Sequence, residues 1–167
     1  VNVQLVLSKF LSTVTPNMHK MGRLSLFSSI QSVMSGSALS VTALGRQIKS
    51  RAKEKHQINR VDRLCSNPNL HYEIDGTYCR LAALLVGQLS RPIIHVDWSD
   101  LDHRGEHFLI RASLAIKGRS LTLYEEVHTI ETKEKPKLHR LFMRKLKQIL
   151  PMSCRPIIIT DAGFRIP

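Results

Sequence analysis

The sequence predicts an α+β protein, an all-helical region over residues 1–90 followed by a strand-rich region over 91–167. Three observations carry that expectation. Apolar residues recur at spacings of three and four through the first region, the period of a helix with one covered face. From residue 91 the period changes to that of strands. Two short stretches, RPIIHVDWSD at 91–100 and RPIIITD at 155–161, then repeat one formula: a proline, an isoleucine-rich run and an aspartate.

Val3, Val6, Leu7, Phe10 and Leu11 share one helical face, and Thr15-Pro16-Asn17 breaks that helix. Over 22–34 the same pattern returns in Leu24, Phe27, Ile30, Val33 and Met34, and Ser35-Gly36-Ser37 turns the chain. Ser40 is placed to cap a short helix holding Val41, Leu44 and Ile48. A basic connection, KSRAKEKHQ, leads to a second helix whose inner face holds Ile58, Val61, Leu64 and Cys65, and Asn67-Pro68-Asn69 ends it. Residues 72–89 form a last helix whose Leu81, Leu84, Leu85 and Val86 serve packing.

The pair of helices within 39–70 is the basic part of this region. Residues 46–63 hold seven lysines and arginines against two acids. Arg46, Lys49, Arg51 and Lys53 precede the second helix, and Lys55, His56, Asn59, Arg60 and Arg63 lie on its outer face. Such groups bond phosphates and base edges, so the segment reads as a helix-turn-helix-like DNA reader. A solvated basic face on an ordinary helical bundle fits the same pattern.

In the second region, residues 91–100 and 107–116 are strands, and Lys117-Gly118 is a two-residue hairpin connection. A third strand over 119–128 alternates, with Leu121, Leu123 and Glu125 on one face and Ser120, Thr122 and Tyr124 on the other. Residues 138–150 form an amphipathic helix with Leu138, Leu141, Phe142, Leu146 and Ile149 inward. Seven basic residues and one acid over 133–147 make a second strip suited to phosphate. Pro151 stops the helix and 155–161 is the fourth strand. Three meandering strands, a helix and a fourth strand returning parallel beside the first is the order of the first part of a ribonuclease-H-like α/β domain. Residues 91–167 are therefore expected to be an incomplete domain of that kind, because another element should begin just after Asp161.

Bulk properties bound the function. The 167 residues, 43% hydrophobic, are enough for one compact domain or for a small helical module beside a partial larger one. A net charge of +12 and a pI near 10.1 point to a polyanionic partner. Cys65, Cys79 and Cys154 are odd in number and widely spaced, matching neither a zinc signature nor a disulfide framework, so a reducing cytoplasm is expected. No apolar run reaches the roughly 18 residues of a membrane span. A first residue of valine suggests an alternative start or a fragment.

Asp97 and Asp161 are the residues on which chemistry would turn. A carboxylate on a buried strand is costly unless it is paired or holds a metal. Sixty-four positions apart in sequence, the two come onto neighbouring strands in the expected topology, and their oxygens would select magnesium, with manganese as a substitute. Asp161, ahead of Ala162-Gly163, equally suits the cap of a following helix. Asp100 and Asp102 read as solvated loop acids, and Trp98 as a core residue opposite Asp97. His95, His103, His107 and His128 show no zinc spacing and read as structural or solvated.

VDWSD at 96–100, LIRASLAIKGRSLTLYEE at 109–126 and IITDAGFRIP at 158–167 closely resemble the DDE transposases of bacterial cut-and-paste insertion sequences, in the fourth insertion-sequence family. LSVTALGRQI and AKEKHQINRVDRLCSNPNLH upstream resemble the same proteins' end-binding region. The resemblance implies that Asp97 and Asp161 are the first two acids of the catalytic triad and that the basic helix reads the terminal inverted repeats of the element. It implies magnesium-dependent cleavage, hairpin formation and joining to target DNA within a complex containing a second transposase chain. The family's third acid is a glutamate far downstream, and nothing after Asp161 here is acidic. The chain is therefore expected to be an N-terminal remnant that binds DNA without cutting it. Two rivals stand beside this: a non-catalytic DNA binder that inhibits transposition, and a metal-dependent nuclease on the same sheet.

Overall fold

A computed structural model describes residues 2–87 and 89–164 of the chain. Among them are six α-helices and a four-stranded mixed sheet, an α+β architecture in two compact units that divide between Thr77 and Tyr78. None of the helices is long and apolar enough to cross a membrane. Gln88 and the last three residues of the 158–167 block lie outside the described residues.

The first unit holds α1 (Val3–Val14), α2 (Lys20–Met34), α3 (Val41–Gln47), α4 (Glu54–Cys65) and the start of α5 (Pro68–Val86). Its caps follow the sequence: the Asn2 side chain accepts from the Leu5 amide, and Ser40 accepts from Ala43 at 3.2 Å. The expected apolar faces are largely uncovered. Val3, Val6 and Phe10 of α1 are exposed while Leu11 and Val14 are buried. In α2 the buried side chains are Ser25, Ser29 and Ser32, and Leu24, Val33 and Met34 face solvent. The serines bury because their hydroxyls bond back to the preceding turn of their own helix, as Ser29 Oγ does to the Ser25 carbonyl at 2.9 Å. A helix can then present a thin, satisfied face to its neighbours.

Helices α3 and α4 pack most closely in this unit, joined by residues 48–53. A Cβ on Gly45 would lie 2.5 Å from Ile58 Cα and 2.7 Å from Ile58 N, so only glycine permits this approach. Val61 and Leu64 keep the expected inner face of α4, while its ends differ. Gln57, Val61 and Leu64 are buried, Ile58 is half-buried, and Cys65 is exposed. The Asn67-Pro68-Asn69 stretch does more than end α4. Asn67 Oδ1 accepts from the Asn69 amide at 3.1 Å and Pro68 opens α5, where its missing N–H costs nothing. That helix begins and ends earlier than the expected 72–89 and stops at Gly87, which has φ +54°.

The second unit holds the rest of α5, then β1 (Ile93–Asp100), β2 (His107–Ile116), β3 (Arg119–Thr129), α6 (Pro136–Ile149) and β4 (Ile157–Thr160). Strand order is β3-β2-β1-β4, with β1, β2 and β3 antiparallel in turn and β4 parallel to β1. This is the expected order. Ile94, Val96, Ile110, Ala112 and Leu114 form one core with Phe142, Leu146 and Ile149 of α6 and Ala82 and Val86 of α5. The expected alternation in β3 breaks at a bulge: Ala112 faces Tyr124 and Ser113 faces Thr122, so Leu123 is the extra residue. Leu123 and Tyr124, consecutive in sequence, are both buried. On α6, His139 takes the inward position expected of Leu138 and Leu141, and Leu141 is exposed. Strand β4 ends the sheet among the described residues, and Ile157, Ile158 and Ile159 are all exposed.

Candidate functional site

Two places answer to the candidate residues, one in each unit. In the second, the parallel ladder pairs Ile93 with Ile157, Ile94 with Ile158, His95 with Ile159 and Val96 with Thr160. Asp97, on β1, and Asp161, just past the end of β4, are each the next residue after the last pair. Both are exposed, which corrects the expectation of a buried acid at Asp97. Helix α6 covers the face that Ile94 and Val96 share, and Asp97 stands on the other, with Ile93 and His95. Asp97 Oδ1 accepts from the Trp98 amide at 2.8 Å. Asp161 Oδ1 accepts from the Gly163 amide at 3.0 Å and opens a single 3-10 turn, Ala162–Phe164, so the capping role foreseen for it is real. In each aspartate the second oxygen is left without a hydrogen bond among the described residues, and such hard oxygens suit a divalent cation.

The row continues across the sheet. Asp97 is opposite Arg111 on β2, and Arg111 is opposite Glu125 on β3, with Arg111 Nε 2.8 Å from Glu125 Oε2. Sequence reasoning assigned neither residue a role, although both sit in the LIRAS and LYEE stretches.

On the covered face, Trp98 packs against the core as expected and donates from Nε1 to His139 Nε2 at 3.0 Å. The His139 ring stacks on Phe164 at 4.1 Å between centroids. One buried imidazole thus holds the residue after Asp97 and the turn after Asp161. Burial lowers the His139 pKa against the opposing pull of Glu134 and Asp161, and the accepting Nε2 puts its proton on Nδ1. Sequence reasoning missed His139 because a histidine at an inward helical position carries no signal of its partners. Glu126 is also on this face. Burial raises its pKa, but bonds from the Tyr124 hydroxyl, Lys145 at 3.2 Å and His128 at 2.9 Å win, and it stays ionised below the usual range.

Among the described residues one group of three ligand side chains could hold a metal ion, and it is not at Asp97 and Asp161: it is Asp102, Glu106 and His107, in the loop between β1 and β2. Asp102 there accepts from the amides of Arg104, Glu106 and His107 and faces His107 Nδ1 at 2.8 Å. Those bonds, the Glu106 amide foremost, lower its pKa. His95 and His103 are exposed, as expected.

In the first unit, Arg46, Lys49, Arg51, Lys53, Lys55, His56, Asn59 and Arg63 are candidate DNA-binding residues that do not belong to its core, and Arg46, Lys55, His56 and Arg63 are exposed. Lys55, His56, Asn59 and Arg63 lie on α4 away from Val61 and Leu64. Two cations have partners. Arg46 Nε is 2.9 Å from Glu54 Oε1, and half-buried Arg60 donates from Nε to Ser25 Oγ at 2.9 Å. Arg60 is thus partly a structural tie to α2. His56, Arg60 and Arg63 line a cleft of about 290 Å³ with Met21, Gly22 and Ser25.

No family of known proteins, no curated protein and no solved structure matches the chain.

Proposed function

We propose that this chain is part of a DDE transposase of the bacterial cut-and-paste insertion-sequence type, with a ribonuclease-H-like sheet. In this reading α4 and the basic segment before it bind the inverted repeats at the element's ends. Asp97 and Asp161 are two of the carboxylates of the strand-cutting site. The observation that carries it is the parallel register of β1 and β4, whose last pair, Val96 opposite Thr160, immediately precedes the two aspartates in sequence. Strand order and the resemblance of the blocks at 96–100, 109–126 and 158–167 support it independently.

Asp97 and Asp161 would hold magnesium, or manganese in its place, through the oxygens not bonded to the Trp98 and Gly163 amides. When bound, the ion supplies charge stabilisation for in-line displacement at phosphorus. The chain's own part is positional. Trp98, His139 and Phe164 hold both strand ends from beneath, and Glu125 holds Arg111 in the row beside Asp97. The cations of 46–63 neutralise phosphates and set the register on DNA.

A second reading, a DNA binder that does not cut, is favoured by one observation: Lys49, Arg51, Lys53, Lys55 and Arg63 of the basic segment are exposed, and binding through them needs nothing from the two aspartates. One pair of assays separates the two. A gel shift compares duplexes carrying the inverted repeats that bracket the coding region with scrambled duplexes, and manganese binding is followed by titration calorimetry. The proposal expects preference for the repeats, and manganese binding that Asp97→Asn or Asp161→Asn abolishes. Preference without manganese binding leaves the binder. Absence of both sinks the assignment.

A further inference from the structure

Helix α6 carries Lys137, Arg140, Arg144, Lys145 and Lys147 and no acid in its 14 residues. Four of these, Lys137, Arg140, Arg144 and Lys147, fall within an arc of about 80° at 3.6 residues per turn. That arc is opposite the face on which His139, Phe142, Leu146 and Ile149 are buried. All four are exposed, and among the described residues none makes an ion pair, whereas Lys145 on the flank is held by Glu126 at 3.2 Å. Neighbours in the stripe are three, four and three positions apart, the spacings at which like charges repel along a helix. Nothing among the described residues of the unit pairs with the stripe to offset that repulsion.

Part of the stripe borders the β4 edge of the sheet. Arg140, Arg144 and Lys147 form one wall of a cleft of about 570 Å³ whose other wall is Ile158, Thr160 and Phe164. Thr160 is the residue before Asp161, and Phe164 ends the turn that Asp161 opens.

We propose that the outer stripe of α6, Lys137, Arg140, Arg144 and Lys147, is a second DNA-backbone surface, which holds the duplex whose phosphate is presented at the Asp97–Asp161 end of the sheet. The identity of the polyanion as DNA rests on the function proposed above. From Lys137 to Lys147 the helix rises about 15 Å, long enough to follow several successive phosphates of a duplex, and cations without base-reading partners give sequence-independent grip. An anionic membrane is the poorer occupant. A surface-lying helix inserts its apolar face, and the apolar face of α6 is committed to the core, with Leu141 outside it and exposed at 46%.

The test uses the whole chain and a fluorescein-labelled 30-base-pair duplex of scrambled sequence, with affinity measured by anisotropy from about 50 to 300 mM salt. Removing one cation that neutralises a phosphate lowers the slope of log affinity against log salt by about 0.9. Arg140→Gln, Arg144→Gln and Lys147→Gln together are expected to lower it by about 2.7, with an unchanged circular dichroism spectrum. The single variants, each expected to lower it by about 0.9, carry the test if the triple variant unfolds. An unchanged slope in folded variants overturns the proposal. So does weakened binding of the variants to phosphatidylserine vesicles while the DNA slope is unaltered. Preference for inverted-repeat over scrambled duplex is measured in parallel. Its absence in the unaltered chain counts against the function proposed above, whereas the slope judges the stripe.

Discussion

His139 shows how much a single side chain decides here. Its Nε2 accepts from Trp98 and its ring stacks on Phe164, so protonation would set a donor against a donor inside the core. Burial lowers its pKa below the ordinary histidine value of 6.5, and the unfolded chain therefore takes up the proton first as pH falls. The stability it contributes is complete above about pH 6.5 and is lost as pH falls through the lower folded value. Thermal unfolding at pH 7.5 and 5.5 is expected to show a drop in midpoint that His139→Gln diminishes; equal drops in both proteins would refute the assignment. His139→Leu leaves the Trp98 N–H unpaired and is expected to cost about 1–3 kcal/mol at neutral pH. Asp97 carries the complementary lesson. The strand and its alternation are legible from Ile93, Ile94 and Val96, but not which face α6 would cover. The acid expected in the core is on the open face.

At the scale of elements, the crossing of α3 and α4 depends on one missing methyl group. Ile58 meets Gly45 through backbone atoms, which cannot turn aside as a side chain can. Gly45→Ala is expected to destabilise the first unit by about 1–3 kcal/mol, the usual range for overpacking, and to weaken DNA binding along with it. Urea unfolding and anisotropy measure the two, and an unchanged midpoint would show that the helices separate freely. The sequence supplied the existence of both helices and the Ser40 cap, because capping and period are local. It misassigned the covered faces of α1 and α2. An apolar stripe states which residues prefer burial, but packing partners decide which are buried, and the satisfied hydroxyls of Ser25, Ser29 and Ser32 won that place. The bulge at Leu123 was invisible for a related reason, since it is defined by pairing with β2 rather than by residues of β3 alone.

For the whole molecule, net charge is the governing property. With +12 charges, self-repulsion works against compaction and salt relieves it. Raising salt from about 50 to 300 mM is expected to raise the thermal midpoint in the absence of DNA, because it screens over a Debye length of ~10 Å; a falling midpoint would mean that attractive pairs such as Arg111–Glu125 dominate instead. The change of period falls at residue 91, whereas the compact units divide within α5, between Thr77 and Tyr78. Period reports what kind of element a residue belongs to, and Ala82 and Val86 join the sheet's core by contact. By itself the sequence determined the α+β class, the hairpin at Lys117-Gly118, and the basic character of 46–63 and of α6, all set by local preference and composition, while the return of the fourth strand beside the first followed from the handedness of crossover connections. Tertiary structure alone decided the exposure of Asp97 and Asp161, the pairing of Arg111 with Glu125 and the seat of His139. Those depend on which distant residues arrive opposite one another, and a linear period does not encode that.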